Sequence, residues 1–233
     1  MATTTTRTGD YENETGTESE YGYDRRRSLG GALLFAFGVV ALMGIITAEA
    51  FYPGYNAGVQ EISDLGATVP PDSIILQPSA TIFNVTMMVS GALVLAATYL
   101  LRPTLRDRAF TVALGLLGLG VLGVGVFDGS EAPMHGLFAL LTFFAGGVTA
   151  ALAYRVVETP FRYVSLGIGA FVLALLVSIF AFGLAGLAHP LAFLGLGGME
   201  RYVAYPVLLW TLGFGGYLMG ASTTPAENAA TVE

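Results

Sequence analysis

The chain has 233 residues, 54% of them hydrophobic and 12% charged, a charged share about half that of an ordinary soluble domain. The net charge is −7, all ten basic residues are arginine, and there is no cysteine. Disulfides and thiolate metal sites are thereby excluded, and nucleic-acid binding, which needs clustered cationic side chains, is argued against.

The apolar residues fall in runs close to the ~20 residues needed to cross a bilayer. An all-α integral membrane protein follows, a six-helix bundle. The acidic, lysine-free balance suits a proteome adapted to high salt, such as that of a halophilic archaeon. In chain order, residues 1–27 form an acidic tail, expected to be disordered, that ends in Arg25-Arg26-Arg27 and has little apolar surface to bury. The transmembrane domain occupies residues 28–221. Its expected spans are Leu29–Ala50, Ala80–Leu101, Ala109–Phe127, His135–Val156, Val164–Leu187 and Tyr202–Ala221, judged by length and apolarity. Residues 222–233 form a short flexible tail.

Arginine placement sets the expected orientation, because cytoplasmic loops retain positive charge. Arg7, Arg25, Arg26, Arg27, Arg102, Arg106, Arg108, Arg155 and Arg162 all fall on one side of a six-span chain. The other side carries Glu49, Glu61, Asp64, Asp72, Asp128, Glu131, Glu200 and one arginine, Arg201. Both termini are therefore expected in the cytoplasm and the protein in the cell membrane. Arg25-Arg26-Arg27 followed by Ala48-Glu49-Ala50 loosely imitates a cleavable twin-arginine signal, but the apolar run is long for one and five more spans follow. Gly216…Gly220, Gly146…Ala150 and Gly147…Ala151 read as close helix contacts. No internal repeat of the kind that builds inverted-repeat transporters is evident.

The first outer loop contains acids and no bases. Asn56–Leu65 is expected to form a short interfacial helix with Val59, Ile62 and Leu65 on one side. Phe51, Tyr52 and Tyr55 look like interfacial aromatics, and Gly66 with Pro70-Pro71 stops the helix. The candidate binding residues all lie near this face: Ser63, Asp64, Asn84, Asp128, His135, Glu200 and Arg201. Each also has a plain structural reading. Asp64 and Asp128 suit turns, Asn84 suits a helix–helix hydrogen bond, and His135 suits an ordinary helix interface. Arg201 needs a carboxylate or phosphate partner when withdrawn from water. The expectation is that the loop folds over the outer mouth and brings Asp64 to Arg201, with Glu200 or Asp128 able to take that place. No metal and no cofactor is expected, because catalytic zinc usually takes three protein ligands and the chain has two histidines, His135 and His189.

The stretch YPGYNAGVQEISDLGATVPPDSIILQPSATIFNVTMMVSGALVL resembles domain-of-unknown-function family 998, as do GVGVFDGSEAPMHGLFALLTF and GGMERYVAYPVLLW. The Ile-Ser-Asp-Leu-Gly corner is also similar to FRAG/DRAM/Sfk-type six-span proteins. The first resemblance implies a six-helix fold with an outward polar cluster, and the second implies a lipid-related role. Four functions are open. The pocket binds a lipid headgroup or anion, or the chain is an assembly subunit with a membrane-protein or homo-oligomeric partner. An intramembrane hydrolase or a transporter is the remaining choice, and the spans offer no charge at mid-depth for the transporter.

Overall fold

The computed structural model describes residues 9–220; segments 1–8 and 221–233 lie outside the described residues. Six helices follow in order: α1 (Gly9–Ala50), α2 (Ser79–Leu105), α3 (Arg108–Val126), α4 (Ala132–Leu152), α5 (Phe161–Leu184) and α6 (Gly195–Gly220). Each carries a stretch long and apolar enough to cross a membrane, and the described residues contain six such stretches. The span within α1 is Asp24–Ala50, while the helix itself begins at Gly9, so residue 27 marks no break in it.

The helices form a ring, with α1 lying between α2 and α6, and α2, α3 and α4 following in sequence. α5 packs mainly on α4. It is also tied to α6 by the buried Trp210 Nε1–H, which donates to Ser165 Oγ at 3.0 Å, and by the stacked rings of Phe161 and Tyr217. The core runs down the ring as Leu34, Phe37, Leu114, Phe110, Phe214 and Trp210, all at most 2% exposed.

Small residues decide how closely the helices approach. Gly31 and Gly215 face one another where α1 crosses α6: a Cβ on either would stand about 2.6–2.7 Å from the other's carbonyl oxygen. Gly146 and Gly147 do lie at helix contacts, against Val207 of α6 and Leu173 of α5 respectively. The Gly216…Gly220 pair does not, because added methyls there would meet nothing within 4 Å. A GxxxG spacing only offers a close approach, and which face the helix buries decides whether it is used. α6 buries Phe214, Gly215 and Leu218 instead.

One boundary differs in a way that matters. The sixth span begins near residue 192 rather than at Tyr202, so Glu200 and Arg201 sit on the helix. Charged residues interrupt an apolar run in the sequence, but a helix can carry them into a low-dielectric region when their polar groups are met internally. Both are met.

Candidate functional site

The 28-residue connection between α1 and α2 (residues 51–78) lies over one end of the bundle, the capped end. Residues 56–65 do not form the expected helix; only a 3-10 turn appears, at Ser63–Leu65. The cause is Arg201, whose Nη1 donates to the carbonyls of Ala57 at 2.9 Å, Gln60 at 3.1 Å and Gly197 at 2.9 Å. Ala57 and Gln60 would have supplied acceptors to Glu61 and Asp64 in a helix. The Glu61 N–H instead donates to the Asp64 carboxylate at 3.0 Å. Asp64 thus serves its own turn.

Arg201 completes its coordination through Nη2, which donates to Glu49 Oε1 at 2.7 Å and to the Tyr55 hydroxyl at 2.5 Å. The salt bridge is with Glu49, not with Asp64, Glu200 or Asp128. Both side chains are largely withdrawn from solvent, at 12% and 25% exposure. With five acceptors around its two terminal nitrogens, Arg201 staples the loop to α6 and α1. Tyr55 belongs to the same knot, because its hydroxyl also donates to the Glu61 carbonyl at 2.9 Å. Tyr52 is buried against Tyr55, and of the three aromatics expected at the interface only Phe51 is exposed. Burial pushes the Tyr55 hydroxyl well above its ordinary pKa against the opposing pull of Arg201, so it stays a neutral donor.

Beneath the loop lies a cavity of about 80 Å³. Its walls are helical faces at i, i+3 and i+4 spacing: Phe37, Ala41 and Ile45 on α1, Phe83 and Met87 on α2, Leu117, Val121 and Val124 on α3. α4 adds Ala139, Thr142 and Phe143, and α6 adds Ala204, Val207 and Leu208. Three polar residues of the candidate set also line it: Ser63 from the loop, His135 from α4 and Glu200 from α6. Ile62 closes it beside Ser63, and the Ile62 N–H donates to Glu200 Oε2.

His135 is 6% exposed. Its Nδ1 lies 2.8 Å from the carbonyl oxygen of Phe127. A carbonyl can only accept, so Nδ1 carries the proton, and in that tautomer Nε2 is the acceptor. Nε2 is buried and has no hydrogen-bond partner among the described residues. An unmet buried acceptor of this kind costs on the order of 1–3 kcal/mol.

The local field is acidic. Burial raises the Glu61 carboxyl above its ordinary pKa, and the neighbouring Asp64 raises it further. Asp64 is raised by burial, against the hydrogen bond from the Glu61 N–H. With Arg201 committed to Glu49, the polar end of the cavity presents His135 Nε2, the Glu200 carboxyl and the Ser63 hydroxyl.

The remaining candidates stand apart. Asp128 accepts from the Ser130 N–H at 3.0 Å and from its hydroxyl, which is the turn reading. Asn84 sits beneath the loop beside Gly66, and its buried Oδ1 has no partner among the described residues. His189 takes the Leu191 N–H on Nδ1 at 3.1 Å and meets Ser178 Oγ at 3.0 Å through Nε2, which ties the α5–α6 connection. Among the described residues no group of three or more His, Asp or Glu is placed to hold a metal ion. Sequence reasoning missed Tyr55 and Glu49 as partners of Arg201. The position of Glu49 beside the loop, among the acids of the same face, was the one available signal. It also missed the apolar floor, for which no local signal exists.

No curated protein and no solved structure matches the chain, so the likeness to FRAG/DRAM/Sfk-type proteins gains no support from these comparisons. The family model described as protein of unknown function (DUF998) matches residues 25–217. That range takes in all six apolar spans almost completely, and with it the loop, the Arg201 knot and the cavity. The chain belongs to the DUF998 family of multi-pass membrane proteins.

Proposed function

We propose that the protein handles lipids, and that the cavity at the capped end receives part of the tail of an amphiphile whose head donates hydrogen bonds. The observation that carries this is His135 Nε2, a buried acceptor without a partner on the wall of an apolar cavity. An apolar pocket with a few convergent polar groups is the ordinary form of a small-molecule site. A hydroxyl can donate its one hydrogen to His135 Nε2 and accept from Ser63, and an amine has further donors for Glu200. A carboxylate or phosphate would instead face Glu200, with Glu61 and Asp64 nearby in the loop and Arg201 already engaged. The headgroup class is therefore neutral or cationic rather than anionic.

Native mass spectrometry in nanodiscs tests this with three probes of one chain length: dodecanol, dodecylamine and dodecanoate. The alcohol and the amine are expected to bind and dodecanoate to bind at least tenfold more weakly. His135→Phe should reduce alcohol binding roughly fivefold, the worth of one neutral hydrogen bond of about 1 kcal/mol. Equal binding of all three probes, or an unchanged His135→Phe, would overturn the assignment.

The same reading puts the capped end on the outer face of the cell membrane, because Arg102, Arg106, Arg108, Arg155 and Arg162 gather at the opposite end. The chain has no cysteine, so single cysteines at the exposed positions Asp72 and Thr159 report it directly. In intact cells an impermeant maleimide is expected to label position 72 and not position 159. The reverse pattern would invert the orientation.

A further inference from the structure

At the end of the bundle away from the loop, α2 stops at Leu105 and α3 starts at Arg108, leaving a two-residue connection. So short a link holds the last turns of α2 beside the first turn of α3. Between them opens a cup of about 680 Å³, lined by Thr98 and Arg102 from α2, Arg106 and Asp107 from the link, and Arg108 and Thr111 from α3. Three arginines therefore line one recess.

Charge at this end is expected of any membrane protein. Pairing separates these arginines from Arg155 and Arg162, and their place in the recess separates them from Arg25, Arg26 and Arg27, which also have no side-chain partner among the described residues. Arg155 Nε bridges Asp107 Oδ2 at 3.0 Å. Arg162 donates to the Tyr154 carbonyl from Nε and Nη2, at 3.3 and 3.1 Å, and lies 4.3 Å over the Tyr154 ring. Arg102, Arg106 and Arg108 have no hydrogen bond or ion pair from their side chains among the described residues. The one carboxylate in the recess cannot serve them, because Asp107 accepts from Arg155 and, through Oδ1, from the Phe110 N–H at 2.9 Å.

The backbone adds a second observation. Arg106 is the only non-glycine residue with positive φ among the described residues, at φ 50° and ψ 16°. Glycine is the residue helices ordinarily place in this left-handed position at their C-terminal end, since a side chain there is disfavoured. Here an arginine occupies it and lines the cup.

We propose that this cup binds a phosphoryl group. Guanidinium groups meet phosphate oxygens with paired, charge-assisted hydrogen bonds, and three of them around one recess match a tetrahedral dianion or a phosphodiester. The ligand is either the headgroup of an anionic phospholipid in the adjoining leaflet or a free phosphate. The site stands apart from the cavity at the capped end, so either can fail alone.

Two measurements on the full chain test it, each with Arg102→Gln, Arg108→Gln and Arg106→Gly variants and with Arg26→Gln, outside the cup, as control. One is the shift in thermal unfolding temperature on adding inorganic phosphate, against chloride at equal ionic strength. The other is retention of phosphatidylglycerol relative to phosphatidylcholine in native mass spectrometry from mixed nanodiscs. A phosphate shift or selective retention that falls roughly tenfold in Arg102→Gln and Arg108→Gln, and survives in Arg26→Gln, is the expected result. The first signal assigns a free phosphate and the second a lipid headgroup. Arg106→Gly separates binding from folding, because it should unfold at a higher temperature while losing the phosphoryl response. No response in either measurement, or an equal loss in Arg26→Gln, would overturn the site and leave a generally basic surface.

Discussion

Replacing Arg201 with glutamine is expected to destabilise the folded bundle by roughly 3 kcal/mol, measured by denaturant unfolding in detergent. Removing one partner of a largely buried ion pair strands the other, here Glu49, and such losses run at about 2–5 kcal/mol. The carbonyls of Ala57, Gln60 and Gly197 lose their donor in the same step. Lysine should not rescue the loss, since a point ammonium cannot reach five acceptors spread around a planar fork. The sharper measure is the double-mutant cycle. Glu49→Gln combined with Arg201→Gln should cost less than the sum of the singles by about 1–2 kcal/mol. Asp64→Asn combined with Arg201→Gln should be additive within about 0.5 kcal/mol, because Asp64 bonds the Glu61 N–H and not the guanidinium. Coupling to Asp64 and none to Glu49 would reverse the assignment of the pair.

Gly197→Ala is expected to lift the loop from the bundle. An added Cβ would overlap the Gln60 carbonyl oxygen and stand 2.6 Å from that of Ala57. Both atoms are backbone, so relief must come from moving the chain, at a cost of about 1–3 kcal/mol. Displacing Ala57 and Gln60 also pulls two acceptors from Arg201, so loop and knot loosen together. The expected readout is faster proteolysis within residues 51–78 together with lower thermal stability. Gly216→Ala, one residue of the GxxxG pair in the same helix, meets nothing within 4 Å. It should be neutral or stabilising by up to about 1 kcal/mol, the helix-propensity gain of alanine over glycine. If the two substitutions behaved alike, the close approach at Gly197 would not exist.

The contrast between those two glycines shows how far the sequence reaches. Both have the spacing or the flanks of a contact residue, and only the packed neighbour separates them. The same holds for the loop. Val59, Ile62 and Leu65 have helical spacing, and Ile62 and Leu65 are indeed buried while Val59 stays 66% exposed. The helix itself is lost because Arg201, 141 residues further on, takes the Gln60 carbonyl. A competing acceptor so distant leaves no trace in local propensity.

The sequence by itself determined that six apolar stretches cross a membrane, roughly where each one runs, and which acids share a face with the lone Arg201. These properties are sums over neighbouring residues, and transfer of a helix into lipid depends on such sums. It also singled out Ser63, His135 and Glu200, which reach one cavity. Only the tertiary structure decided that Glu49, 152 residues from Arg201, is its partner, that Asp64 turns back on its own loop, and that His135 Nε2 is left without a donor. Pairing and cavity depend on distances between residues on different helices. Those distances follow from how the helices pack, at contacts such as Gly31 against Gly215, and not from any window of the chain.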